Sequence, residues 1–187
     1  MTGIFMTSDY TYTIFLDAGH GGFNPGAVYD GRQEKDDVLA LTLAVGEILT
    51  SYGFRVLYSR TDDIYESPYQ KAREANDAVA DIFISIHRNS SPVPNTYSGA
   101  ESLVYNSWLP AGTIASNINI QLERVGYKNL GVTSRPNLVV LRDTDMPAVL
   151  VEVGFINTDS DNLLLDTRFD DTARAIADGI AGTLWSW

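Results

Sequence analysis

A 187-residue chain with 13 lysines and arginines against 24 aspartates and glutamates has a net charge of −11. It therefore shows no positive footprint for nucleic acid and gains nothing at an anionic lipid surface or from anionic wall polymers. The absence of cysteine excludes disulfides and thiolate metal sites, while a 44% hydrophobic content suffices for one globular domain with its own core.

The opening residues lack a charged segment leading into a long apolar one, so neither a signal peptide nor a membrane association is expected, and a soluble monomer is. Tyr12–Leu16 is the first short apolar run that predicts a strand, and it leads into Asp17-Ala18-Gly19-His20. Val38, Leu41, Val45, Ile48, Leu49 and Tyr52 recur at intervals of three and four, predicting a helix that Gly53 stops. A second strand follows at Arg55–Tyr58, then a helix lined by Ala72, Ala75, Asn76 and Val79. The strand Ile82–Ile86 runs straight into His87, and "RNSSPVPNTYSG", Arg88 to Gly99, reads as a loop.

Glu101–Tyr105 predicts the next strand, and Ile114, Ile118, Leu122 and Val125 a helix ended by Gly126. Leu138–Leu141 reads as a sixth strand and Ala148–Val153 as the last. Phe169, Ala173, Ile176, Ala177, Ile180 and Leu184 line a long closing helix. The strand runs are continuous rather than alternating, as in strands buried on both faces. Alternation of strand and helix makes the class α/β, a single domain with about six parallel or mixed strands between helix layers.

In such a sheet, ligands bind beyond the carboxyl ends of the strands. Both histidines of the chain fall at such ends: His20 after the first strand and His87 after the third. Glu152 sits late in "PAVLVEVGF", where an ionised side chain among apolar neighbours is costly unless paired or coordinated; Val151 should face the other side of the sheet. Glu34 stands just before the first helix in "GRQEKDD". Two imidazoles and one carboxylate are the three protein ligands of a hydrolytic zinc site, and the remaining carboxylate, Glu152 or Glu34, would serve as general base and acid.

Taken singly, each residue also has a plainer role. A histidine in a Gly-rich turn can be a structural hydrogen-bonder, and Glu34 suits a helix N-terminus. "DAGHGG" lacks the spacing of either nucleotide-binding glycine motif, and no G-x-S-x-G supports serine chemistry.

"LDAGHGGFNPGAV", "RQEKDD", "SRTDD", "DIFISIHRNS" and "GVTSRPNLVVLRDTDMPAVLVEVGFIN", in this order and followed by the closing helix, resemble the zinc-dependent N-acetylmuramoyl-L-alanine amidases of the cell-wall amidase type, found in autolysins and endolysins. The resemblance runs from about Tyr12 to about Leu184. It implies a phosphorylase/hydrolase-like fold with a twisted, mostly parallel sheet and helices on both faces. Residues 1–11 would be an N-terminal extension and 12–187 the catalytic domain. His20, Glu34 and His87 are implied as ligands of one Zn²⁺ per chain and Glu152 as the catalytic carboxylate. The implied reaction, at the bacterial cell wall, is hydrolysis of the amide between the lactyl group of N-acetylmuramic acid and the L-alanine of the peptidoglycan stem peptide. A zinc-activated water would attack, with Glu152 relaying its proton to the leaving nitrogen.

Two positions depart from the family pattern. Arg88 follows the second histidine, where a small residue is common, and Lys71 stands where arginine is common; neither is expected to touch the metal ligands. Arg88, Asn89 and Arg142 are candidates for substrate contact, Arg142 alternatively pairing with Asp143 or Asp145. A zinc carboxypeptidase or aminoacylase, and a non-catalytic wall-binding module on the same fold, are the competing functions.

Overall fold

The computed structural model describes residues 11–108 and 110–187, so positions 1–10 of the expected extension lie outside the described residues. In chain order the elements are β1 (Thr13–Ala18), β2 (Val28–Tyr29), β3 (Arg32–Gln33), α1 (Glu34–Ser51), β4 (Arg55–Tyr58), α2 (Pro68–Asp77) and β5 (Ile82–Asn89). They continue with β6 (Ala100–Val104), α3 (Pro110–Val125), β7 (Asn129–Ser134), α4 (Val139–Arg142), β8 (Ala148–Phe155), α5 (Asp159–Thr167) and α6 (Phe169–Leu184).

Six strands form one sheet in the order β4-β1-β5-β8-β6-β7, and β2 and β3 make a separate short hairpin. The first four strands of that order are mutually parallel. β6 turns antiparallel against β8, and β7 follows β6 in parallel. The fold is the expected mostly parallel α/β sandwich.

Strand alternation divides the buried side chains between two cores. Ile14 and Leu16, Ile82, Ile84 and Ile86, and Val149, Val151 and Val153 face one side, where α1, α3 and α6 cover them. Phe15, Phe83, Ala148 and Leu150 face the other, against α2 and α4. In register, Phe15 lies beside Phe83 and Phe83 beside Ala148; one step along, Asp17 lies beside Ser85 and Ser85 beside Leu150; one step further, His87 lies beside Glu152. This second face therefore passes from apolar to polar as the strands reach their carboxyl ends.

Two sequence expectations need correction. Leu138–Leu141 is no strand: Val139–Arg142 is the short helix α4, whose Val140 and Leu141 pack into the second core. Four apolar residues fit a buried helix turn as well as a strand, and only the packing separates them. The sixth strand is instead β7, "NLGVTS", an edge strand with partly exposed side chains and a left-handed Gly131, so it carries no apolar run.

Val79 also lies outside its predicted helix. α2 ends at Asp77, and Val79 closes it with φ +52° and 82% exposure, its amide donating to Asn76 O and the next amide to Ala75 O. A β-branched residue is strained there, by about 1–2 kcal/mol. Val79→Asn is expected to raise the melting temperature by about 2–4 °C, read by calorimetry; an unchanged or lower value would mean that the turn stores no strain.

Candidate metal centre

The site forms where β1, β5 and β8 end beside the start of α1. His20, two residues past β1, adopts φ +59°, a conformation that a non-glycine side chain takes only at a cost. Asn24 then sets its ring. The Gly26 amide donates to Asn24 Oδ1 at 3.0 Å, which makes that oxygen an acceptor, so His20 Nδ1–H must donate to it at 3.1 Å. The other ring nitrogen, Nε2, thereby points at Glu34, 3.0 Å from its Oε2.

Glu34 opens α1 and is buried. Its Oε1 lies 2.9 Å from His87 Nδ1 and accepts the Arg88 amide at 3.0 Å, while Oε2 accepts the Ala27 amide at 2.9 Å. Burial pushes this carboxyl up, but the hydrogen bonds and charges of His20 and His87 outweigh it and hold Glu34 well below the usual carboxylate range. His87 mirrors this: burial disfavours its charged form, yet Glu34 raises it above the ordinary histidine value.

One donor atom from each of His20, Glu34 and His87 lies within 4.8 Å of the others, a cluster that can hold a metal ion. Two nitrogens and one carboxylate oxygen suit a borderline cation such as zinc. The backbone leaves room for this packing only because of glycine. A Cβ at Gly26, where φ is +69°, would stand 2.5 Å from Glu34 Oε2 and 2.6 Å from His20 Cδ2; one at Gly19 would stand 2.3 Å from the His87 ring.

Glu152 lies beside His87 in strand register, and beside Glu101 on the antiparallel side. Its Oε2 is buried without a hydrogen-bond partner. Burial pushes the carboxyl up to about 7; the charges of Glu34 and Glu101 add to the rise and His87 opposes it. Native proteins seldom leave such an atom unpaired, and a catalytic role or a bound ion or water is among the reasons they do.

A family model described as N-acetylmuramoyl-L-alanine amidase matches residues 14–182. The chain belongs to that amidase family. Among its relatives, the sporulation-specific N-acetylmuramoyl-L-alanine amidase of Bacillus subtilis strain 168 is 40% identical over 173 residues, covering 89% of this chain and 66% of that protein. The endolysin of Bacillus phage SPP1 is 36% identical over 178 residues, covering 91% and 65%. The chain thus spans just under two thirds of the length of these two relatives. Among solved structures, the N-acetylmuramoyl-L-alanine amidase of Clostridium difficile 630 aligns with a TM-score of 0.88 at 32% identity, covering 94% of this chain and 98% of that one. The amidase fold is therefore shared as well as the sequence.

Around the candidate ligands, this amidase-family chain uses buried charge that local sequence does not advertise. Asp17 lies fully buried below the His87 row and accepts from Ser59 Oγ at 2.7 Å and Ser85 Oγ at 2.6 Å. It pairs with Lys71 Nζ at 2.6 Å, and Lys71 also donates to Ala18 O at 2.7 Å. Burial pushes Asp17 up, but Lys71 and His87 outweigh that and hold it below its ordinary value. Arg60 donates to the carbonyls of Ala18, Gly19 and Lys35, so it ties the His20 loop to α1.

Arg88 requires a correction. Its backbone touches a proposed ligand, Glu34, and its guanidinium is neither in solvent nor in a groove. The side chain is wholly buried, pairing with Asp37 Oδ2 at 2.7 Å and reaching the Val153 carbonyl at 3.2 Å. It is thus a strut between β5, β8 and α1. Asp37→Ala should cost about 3–5 kcal/mol by stranding that guanidinium, measured by denaturant unfolding; a loss below 1 kcal/mol would contradict the strut.

Asn89 ends β5, and its Oδ1 accepts the Ser90 amide at 2.8 Å. Arg142 takes the alternative open to it, an exposed two-pronged pair with Asp143 at 2.7 and 3.1 Å. Neither lines the groove that holds His20 and His87. At Gly26, alanine is expected to push Glu34 and His20 apart; a tenfold or greater loss of zinc affinity should appear in competition titrations, and unaltered affinity would show that the turn does not set the ligands.

Proposed function

We propose that residues 12–187 are the catalytic domain of a zinc-dependent N-acetylmuramoyl-L-alanine amidase that acts on peptidoglycan at the bacterial cell wall. One observation carries this reading: Glu152, whose Oε2 is buried and unpaired, stands one strand away from His87 of a three-donor cluster. His20 Nε2, a Glu34 oxygen and His87 Nδ1 would hold the ion. Zinc bound there supplies Lewis acidity, making water easier to deprotonate and an amide carbonyl easier to attack.

The chain's own groups supply the proton handling. Glu152 takes the proton of the attacking water on its unpaired Oε2 and returns it to the leaving nitrogen. A carboxyl held at about 7 can accept and release a proton near neutrality. A C–O bond forms as the C–N bond breaks, leaving a carboxylate on the lactyl group and a free amine on L-alanine. Asn24 would orient the His20 ring through Nδ1, so that its Nε2 faces the other two donors.

Mass spectrometry of digested muropeptides tests the assignment. Glycan free of stem peptide, together with peptide bearing a free L-alanine amino terminus, is the expected outcome. Release of a terminal amino acid would instead support the carboxypeptidase or aminoacylase reading. Intact muropeptides would leave only a binding module.

A further inference from the structure

At the mouth of the site, two aromatic side chains lie in the open with no core to cover them. Phe23, three residues from His20, is 81% exposed, and Tyr65 is 38% exposed. Their ring centroids are 4.3 Å apart with the planes tilted by 39°. Tyr65 also lines the groove of about 360 Å³ that contains His20 and His87, so the pair is continuous with the metal centre.

Hydrogen bonds tie the platform together. Gly21 and Asn24 exchange backbone hydrogen bonds at 3.0 Å in both directions. The Gly22 amide donates to Asp63 Oδ1 at 2.7 Å, and Lys35 bridges Gly22 O and Asp63 Oδ2. The loop bearing Phe23 is thereby clamped to the segment bearing Tyr65.

The same bonds show what the platform can recognise. The amides and carbonyls of Gly21, Gly22 and Asn24 are already paired, and Lys35 and Asp63 neutralise each other at 2.6 Å. Those backbone groups are not open to a peptide, and the Lys35–Asp63 pair presents no net charge to an ion. Aromatic faces remain, with negative π density that attracts the slightly positive C–H faces of a pyranose ring.

We propose that Phe23 and Tyr65 are the platform on which the glycan strand of the substrate stacks, a saccharide subsite on one side of the scissile amide. This rests on the amidase reading of the metal centre. It is tested first by binding: proton NMR of the whole chain with peptide-free oligosaccharides of N-acetylglucosamine and N-acetylmuramic acid, and separately with free stem peptide. The oligosaccharides should shift the Phe23 and Tyr65 ring signals. Shifts from the stem peptide alone would overturn the proposal.

Kinetics gives the second arm. The double variant F23A/Y65A should raise KM for glycan-linked muropeptides about five- to tenfold, with the effect on KM rather than kcat. The penalty should vanish on a lactoyl-peptide carrying no sugar, and F23W and Y65F should keep the wild-type KM. Equal penalties on the two substrates would overturn the platform. Ring shifts from sugars without any muropeptide cleavage would uphold the platform while the amidase reading falls. Cleavage with silent rings would do the reverse.

Discussion

Glu152→Gln is expected to lower kcat by about 10²–10⁴-fold while the protein keeps its metal and its fold. Glutamine preserves the shape of the side chain and removes only the group that can cycle a proton. Because Oε2 makes no hydrogen bond, the exchange breaks no partner there, and the three candidate metal donors are other residues. Activity above a tenth of wild type would assign the proton work elsewhere.

The same substitution has a consequence for stability in protein stripped of metal. The Glu152 carboxyl is raised from 4.5 to about 7 in the fold, so between those values the folded chain binds more protons than the unfolded one. Its favourable contribution is complete below about pH 4.5 and is lost as pH rises through 7, a change on the order of 3 kcal/mol. Unfolding curves of chelated wild type should therefore fall below those of E152Q across that window. Parallel curves would mean that burial does not raise this carboxyl.

His87→Ala carries the other large effect. It takes the cluster from three donors to two and removes the imidazole that Glu34 Oε1 faces at 2.9 Å. Zinc affinity should fall well beyond the 10- to 100-fold typical of losing an outer partner, and amide hydrolysis should become undetectable. Asn24→Ala offers the graded comparison. It deletes only the acceptor that orients His20 Nδ1, so it should cost about 10–100-fold in affinity and leave measurable activity. Equal losses in the two variants would show that His87 is no ligand. Competition titration with a chelating dye reads both.

The residues of the candidate metal centre were legible because strand ends and rarity coincide in this chain. A sequence with two histidines, both at the ends of apolar runs, advertises where candidate ligands converge, and Glu152 stands out as a charge inside "VLVEVGF". β1, β5 and β8 could be read from their apolar runs since helices bury them on both faces. The edge strand β7 could not, because "NLGVTS" mixes polar residues and a glycine with its few apolar ones and its side chains are partly exposed.

Long-range pairing was equally invisible. Arg88 reads as a groove residue until Asp37, 51 positions away, is seen to fold over it. Lys71 likewise acquires its role only from Asp17 on another element. The Phe23–Tyr65 contact joins two loops whose sequences give no sign of each other. Periodicity reports which side of an element is buried, not which distant charge or ring will meet it there.

Metal stoichiometry followed against activity tests the centre most directly. Purified protein should contain about one zinc per chain, lose amide hydrolysis when a chelator removes it, and regain hydrolysis as zinc is returned up to one equivalent. Full hydrolytic activity in protein containing no metal would contradict a reaction organised by His20, Glu34 and His87.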